Sequence, residues 1–209
     1  MSKMKIFLFF ALIILFGSAI IIPHYLNTKN NRNVEDNNAK GVILEEGKYI
    51  VGKDIKPGVY DIICISNKGE YWTSKFDEGE RLVGKQLFKN NEFDIIKGDF
   101  KLVPTSFQPL KINENGNYEL IFSGMYTIGK ELPEGKYKIS IKNKSIMSSV
   151  RAELLSEKYS DGISLLSTDT KQEEFIFSCE KGQIISVPSK VNILKEEDSN
   201  IIIVLEPQK

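Results

Sequence analysis

The sequence predicts an all-β protein: two tandem, homologous small β-sandwich or barrel modules behind an N-terminal transmembrane helix and a flexible stalk. Three observations predict it. Helical periodicity is absent after residue 40, where short β-branched and aromatic runs alternate with polar residues and break at Gly, Pro, Asn and Asp. A long pattern occurs twice, since Gly47-Lys-Tyr-Ile-Val-Gly-Lys-Asp-Ile-Lys-Pro-Gly-Val-Tyr60 recurs as Gly124-Met-Tyr-Thr-Ile-Gly-Lys-Glu-Leu-Pro-Glu-Gly-Lys-Tyr137. The N-terminus, finally, carries one uncharged apolar run.

That run comes first along the chain. Met1-Ser-Lys-Met-Lys5 is basic, and Ile6 to Ile22 follow without a charge before Pro23. Seventeen residues is the lower limit for a spanning helix and more than a usual signal-peptide core. Residues 1–26 therefore read as an uncleaved signal-anchor, with a cleaved signal peptide at Gly17-Ser18-Ala19 as the alternative. No cysteine directly follows to carry a lipid. Lys3 and Lys5 favour a cytoplasmic N-terminus, which puts the rest of a single-pass chain outside the cell membrane, or frees it if cleaved. Residues 27–40, from Asn27 to Lys40, hold almost nothing that can be buried and read as a stalk.

Two copies of one β unit are expected next, at 41–122 and 123–209. In the first, strands are expected at Tyr49–Val51, Val59–Ile65, Tyr71–Lys75, Gln86–Phe88, Glu92–Ile96, Phe100–Val103 and Tyr118–Phe122. Their counterparts are Tyr126–Ile128, Lys136–Ile141, Val150–Leu155, Gly162–Leu166, Glu174–Cys179, Ile184–Val187 and Ile201–Leu205. The offset is 77 at the tyrosines Tyr49 and Tyr126. Matching Phe93-Asp-Ile-Ile-Lys-Gly-Asp99 to Phe177-Ser-Cys-Glu-Lys-Gly-Gln183 raises it to 84, which predicts an insertion of seven residues between Lys142 and Gln172.

Within the motif, Gly52, Gly58 and their counterparts Gly129 and Gly135 suit positive φ or close backbone approach. Ile55 and Leu132 are expected to plug the core from the loop, ahead of the return strands carrying Tyr60 and Tyr137. Lys53/Asp54 and Lys130/Glu131 read as solvated turn residues rather than as a duplicated ligand clamp. The whole string resembles a "VGxDIPxGxY" module of secreted and membrane-anchored proteins of low-GC Gram-positive bacteria and their phages. Lys56 replaces the usual proline in the first copy and Pro133 keeps it in the second. The resemblance implies location and β architecture; it brings no activity.

Composition narrows the chemistry. With 28 basic and 28 acidic side chains there is no charge surplus to draw the chain to nucleic acid. The lone histidine, His24, lies beside the apolar run, so no Ser-His-Asp or Cys-His arrangement and no zinc cluster is expected. Cys64 and Cys179 align with Ile141 and Ile95, as buried thiols would, with a disulfide between them as the minority alternative. Gly124 to Lys130 mimics a phosphate loop, but Glu131 stands where Ser or Thr is needed. No catalytic residue, metal site or cofactor is expected.

Trp72 is the one lead toward a ligand. On a strand through Glu70–Phe76, Trp72, Ser74 and Phe76 would share one face and Tyr71, Thr73 and Lys75 the other. Tyr71, Trp72 and Phe76 are thus candidate ligand-binding aromatics, with core packing as the competing assignment. The expected function is a non-enzymatic, membrane-anchored extracytoplasmic binding protein for a cell-envelope polymer or protein. Its alternatives are an envelope glycan hydrolase using a carboxylate pair, or an accessory subunit of a membrane assembly or sensing complex.

Overall fold

The computed structural model describes residues 37–142, 150–157, 159, 161–167, 171, 173–187 and 202–209. The apolar run at 6–22 lies outside these residues. Among the described residues every regular element is a β-strand, and no helix is long and apolar enough to cross a membrane.

Eight strands come from the first half: β1 (Val42–Leu44), β2 (Gly47–Ile50), β3 (Gly58–Cys64), β4 (Lys68–Tyr71), β5 (Ser74–Asp77), β6 (Arg81–Leu87), β7 (Glu92–Lys97) and β8 (Phe100–Pro104). Eight more follow: β9 (Tyr118–Leu120), β10 (Ser123–Thr127), β11 (Gly135–Lys142), β12 (Arg151–Leu155), β13 (Gly162–Ser167), β14 (Glu174–Cys179), β15 (Ile184–Val187) and β16 (Ile202–Pro207). They form two four-stranded sheets, β2-β7-β4-β5 and β14-β11-β16-β9, and one eight-stranded sheet, β1-β8-β3-β6-β10-β15-β12-β13. Cut between β6 and β10, the long sheet leaves each half with the same connectivity. Counted from its own first strand, each half has sheets in the order 1-8-3-6 and 2-7-4-5.

Strand register corrects the expected alignment of the copies. Gly58 pairs with Leu87 and Gly135 with Cys179, so Cys179 corresponds to Leu87 and not to Ile95. Asn90 and Gly182 donate equivalent N–H bonds to Val51 and Ile128 carbonyls, at 2.8 and 3.0 Å. The offset there is 182 − 90 = 92, so a net fifteen residues (92 − 77) are inserted between the motif and that turn, not seven. The sequence misled because Lys97-Gly98 and Lys181-Gly182 look alike. They occupy different turns, and the counterpart of Gly182 (φ +92°) is Asn90 (φ +68°), a residue tolerated in the left-handed region. Likewise Val103-Pro104 corresponds to Glu206-Pro207, because Tyr60 pairs with Pro104 and Tyr137 with Pro207. Tyr118–Phe122, expected to close the first copy, instead contributes β9, which pairs with β16 and opens the second half. The strand expected at Tyr71–Lys75 is broken by a turn between β4 and β5. Asn37 to Lys40, at the end of the expected stalk, bind β3: the Asn37 amide donates to the Val59 carbonyl at 3.0 Å and its Oδ1 accepts from the Val59 N–H at 3.0 Å.

The repeated residues do repeated work. Tyr49, Tyr60, Tyr126 and Tyr137 each donate a hydroxyl to the carbonyl four residues upstream, at 2.7 to 2.9 Å. Gly52 (φ +95°) and Gly129 (φ +83°) donate their N–H to Ile55 and Leu132 at 2.6 Å, turning those side chains inward. Both plugs are buried. Asp54 and Glu131 accept N–H bonds from Ile50 and Thr127 at 2.9 and 2.7 Å, holding the same turn closed. Two hydrophobic clusters result, one around Tyr60, Ile62, Phe93 and Phe100, the other around Tyr126, Tyr137, Ile139 and Leu165.

One parallel contact joins them. Ser123 and Gly124 on β10 pair with Leu82 and Val83 on β6, and the Val83 side chain packs into the second cluster. A Cβ on Gly124 would lie 2.1 Å from the Val83 carbonyl oxygen, so only glycine admits this approach. Beside it the Arg81 guanidinium lies over the Phe122 ring, 4.7 Å from its centre.

Gly124→Ala is therefore expected to cost about 2–4 kcal/mol, from backbone overlap plus the left-handed φ. Its counterpart Gly47, whose Cβ would meet only the Tyr49 ring at 3.6 Å and beyond among its nearest atoms, is expected to lose about 1 kcal/mol on the same change. Urea midpoints of the two variants check this; equal losses would contradict it.

Burial also raises the phenol pKa of Tyr60 and Tyr126, and pushes Tyr137 up to about 12. Below pH ~10 both states keep these protons, so stability is unaffected. From there toward pH 12 the unfolded chain loses them first and stability falls. Tyr137→Phe should flatten that alkaline decline in a urea-midpoint series against pH.

Candidate functional site

Tyr71 and Ser74 face each other across β4 and β5, leaving Trp72-Thr73 as a two-residue turn. Trp72 adopts φ +55°, donates its N–H to the Asp94 carbonyl at 2.8 Å, and leaves its side chain 54% exposed. Tyr71 and Phe76 go the other way, into the core. Their rings lie 5.1 Å from Phe93 and 5.5 Å from Phe100 respectively. The three expected aromatics thus divide. A single strand would have put Trp72 and Phe76 on one face; the hairpin turn separates them.

Trp72 does not stand alone. It lines a groove of about 270 Å³ together with Lys85, Gln86, Leu87 and Phe88 at the end of β6, Asn91, Glu92 and Phe93 entering β7, Met125 of β10, Tyr71, and Tyr159. The groove begins where β6 and β10 part, just beyond the Val83–Gly124 pairing. Tyr159 lies between β12 and β13, the counterparts of β4 and β5, and its ring meets Phe88 edge-on at 5.9 Å. Two corresponding hairpin tips therefore supply Trp72 and Tyr159, both in left-handed backbone conformation, φ +55° and +58°. Asn91 holds the floor, its Oδ1 accepting the Phe88 N–H at 2.8 Å.

The polar groups of this groove are incompletely met. Lys85 is half-buried, and burial lowers its pKa below the ordinary lysine value. Among the described residues no carboxylate lies within ion-pair distance of it. The Gln86 Oε1 and the Tyr71 hydroxyl are buried without a hydrogen-bond partner among the described residues, although the Gln86 amide donates to the Gly58 carbonyl at 3.5 Å. Orphan groups of this kind cost about 1–3 kcal/mol each until a ligand or water meets them.

The scaffold residues Gly52, Gly58, Tyr60, Gly129, Gly135 and Tyr137 do not line this groove. Gly58 is crowded by Ala39, whose Cβ and N would lie 2.7 Å from an added Cβ, whereas Gly135 is exposed and uncrowded. Asp61, also off the groove, accepts from the Gly84 N–H at 2.9 Å and the Thr105 hydroxyl at 2.7 Å, fixing the irregularity in β6. Cys64 and Cys179 are free, buried in different clusters, and burial raises both thiols. Among the described residues no group of three or more His, Cys, Asp or Glu side chains is placed to hold a metal. Sequence reasoning missed Lys85, Gln86, Phe88, Met125 and Tyr159. Tyr159 sits in the inserted segment, and no periodicity links residues brought together by the β6–β10 junction.

Comparison with protein-family models, with curated proteins and with solved structures finds no match to the chain.

Trp72→Ala should leave stability within about 0.5 kcal/mol of the parent, as for other exposed positions. Phe76→Ala should cost about 3–5 kcal/mol by opening a cavity beside Phe100. Thermal or urea melts of the two variants separate the surface aromatic from the core one.

Proposed function

We propose that the chain is a non-enzymatic binding protein, anchored through residues 6–22 and displaying two β-sandwich modules outside the cell. Its ligand in this reading is an acidic glycan segment of the cell envelope, held in the Trp72 groove. The observation that carries it is the juxtaposition of two aromatic hairpin tips with a lysine that has no carboxylate partner among the described residues. Exposed indole offers a flat apolar face on which a sugar ring can stack. Lys85 meets a carboxylate or phosphate. Removing water from Lys85 strengthens its pull on an anion.

The hydrolase reading needs two carboxylates about 5–10 Å apart. Among the described groove-lining residues Glu92 is the single carboxylate, which favours binding over cleavage.

Trp72 is the sole tryptophan, so its fluorescence reports directly on the groove. Titrating the full chain in micelles with an acidic envelope polysaccharide should give a saturable change, absent with a neutral polymer of similar length. Lys85→Gln should weaken binding about tenfold, the loss of roughly one charge-assisted bond. Affinity should also fade as pH rises through the lowered Lys85 pKa, before the ~10.4 of a free lysine. Equal response to neutral and acidic polymers would overturn the ligand class; release of reducing ends, lost in Glu92→Gln, would overturn the non-enzymatic reading.

A further inference from the structure

The contact that joins β6 to β10 has counterparts at two edges of the fold that no described strand covers. By strand order β10 corresponds to β2, and β6 to β14. Where β6 covers β10, Gly124, Tyr126 and Thr127 are buried. The same strand in the first half, β2, is exposed or half-buried throughout, because it ends its sheet with β7 as its only paired neighbour among the described strands. Gly47 stands where Gly124 stands and is free of the crowding that Gly124 meets. Since the Val51 N–H points to Asn91 on the β7 side, alternation turns the Lys48 N–H to the open edge.

The other edge is β14, which also ends its sheet. Phe175 pairs with Ile139 as Leu82 pairs with Ile62, so Phe175 holds the place of Leu82. Natural edge strands are usually blunted by charge, proline or a bulge. β14 has none beyond Glu174, and presents Phe175 and Ile176 at 39% and 52% exposure.

We propose that these edges meet between molecules: β14 of one copy adds in parallel to β2 of the next, in the register of β6 on β10. Glu46 then lies beside Phe175, and Gly47 beside Ile176. Glu45 falls near Glu174, whose charge is already met by Lys138 at 2.7 Å. Because the two surfaces differ, each joint leaves a free edge at either end, and anchored chains add head to tail along the membrane.

The test uses the full chain in micelles with Glu46→Cys and Phe175→Cys together. Native Cys64 and Cys179 are buried and give a low background. Mild oxidation should yield a ladder of dimers, trimers and larger species, while either single variant stops at dimers. Adding Ile176→Lys should cut the ladder at least tenfold with the β-sheet circular dichroism unchanged. Should the cysteine variants fail to fold, sedimentation of the parent should show mass rising with concentration, and Ile176→Lys should remove that rise. A ladder no longer than that of the single variants, indifference to Ile176→Lys, or constant monomer mass would each overturn the proposal.

Discussion

The backbone contact between Gly124 and Val83 is the constraint on which the rest of the structure depends. It turns two four-stranded sheets into one of eight, and it seats Val83 in a cluster otherwise built from the second set of strands. Burying that valine alone is worth about 1.5–3 kcal/mol. The approach is too close for any Cβ at position 124. A residue that looks like one more repeat glycine is thus the hinge-point of the architecture. Its counterpart, Gly47, carries the same backbone habit without the neighbour.

The groove follows from that contact. β6 and β10 touch over two residue pairs and then part, so the end of β6 and Met125 become walls rather than ladder partners. The β4–β5 turn supplies Trp72, and the longer connection of the second half supplies Tyr159. The aromatics that differ between the halves are brought together by the part that is shared. Lys85 is desolvated there without a described counter-ion, which is unfavourable in a purely structural role.

Much of the scaffold was legible in the sequence because the repeat is local. The turn glycines, the Ile55 and Leu132 plugs and the tyrosines all act within a few residues, and their spacing encodes the hydrogen bonds directly. Several strands, such as Glu174–Cys179 and Ile184–Val187, match the pattern residue for residue. What failed were the places where two local patterns compete. Lys-Gly occurs in two different turns, and only strand register distinguishes them. At Trp72, alternation was read straight through a residue whose positive φ marks a turn, an uncommon choice for an aromatic side chain. The joining of β6 to β10 had no sequence signal at all. It depends on edge complementarity between paired residues 41 apart (124 − 83), and no single window contains both.

Residue-resolved hydrogen exchange of the full chain tests the central claim most directly. If the Gly124–Val83 contact welds the two sets of strands, the amides of Val83, Gly84 and Met125 should exchange as slowly as those in the middle of β3 and β11, in one cooperative opening. Fast exchange at the junction, with β3 and β11 protected to different extents, would mean that the two sets open independently and would contradict the account.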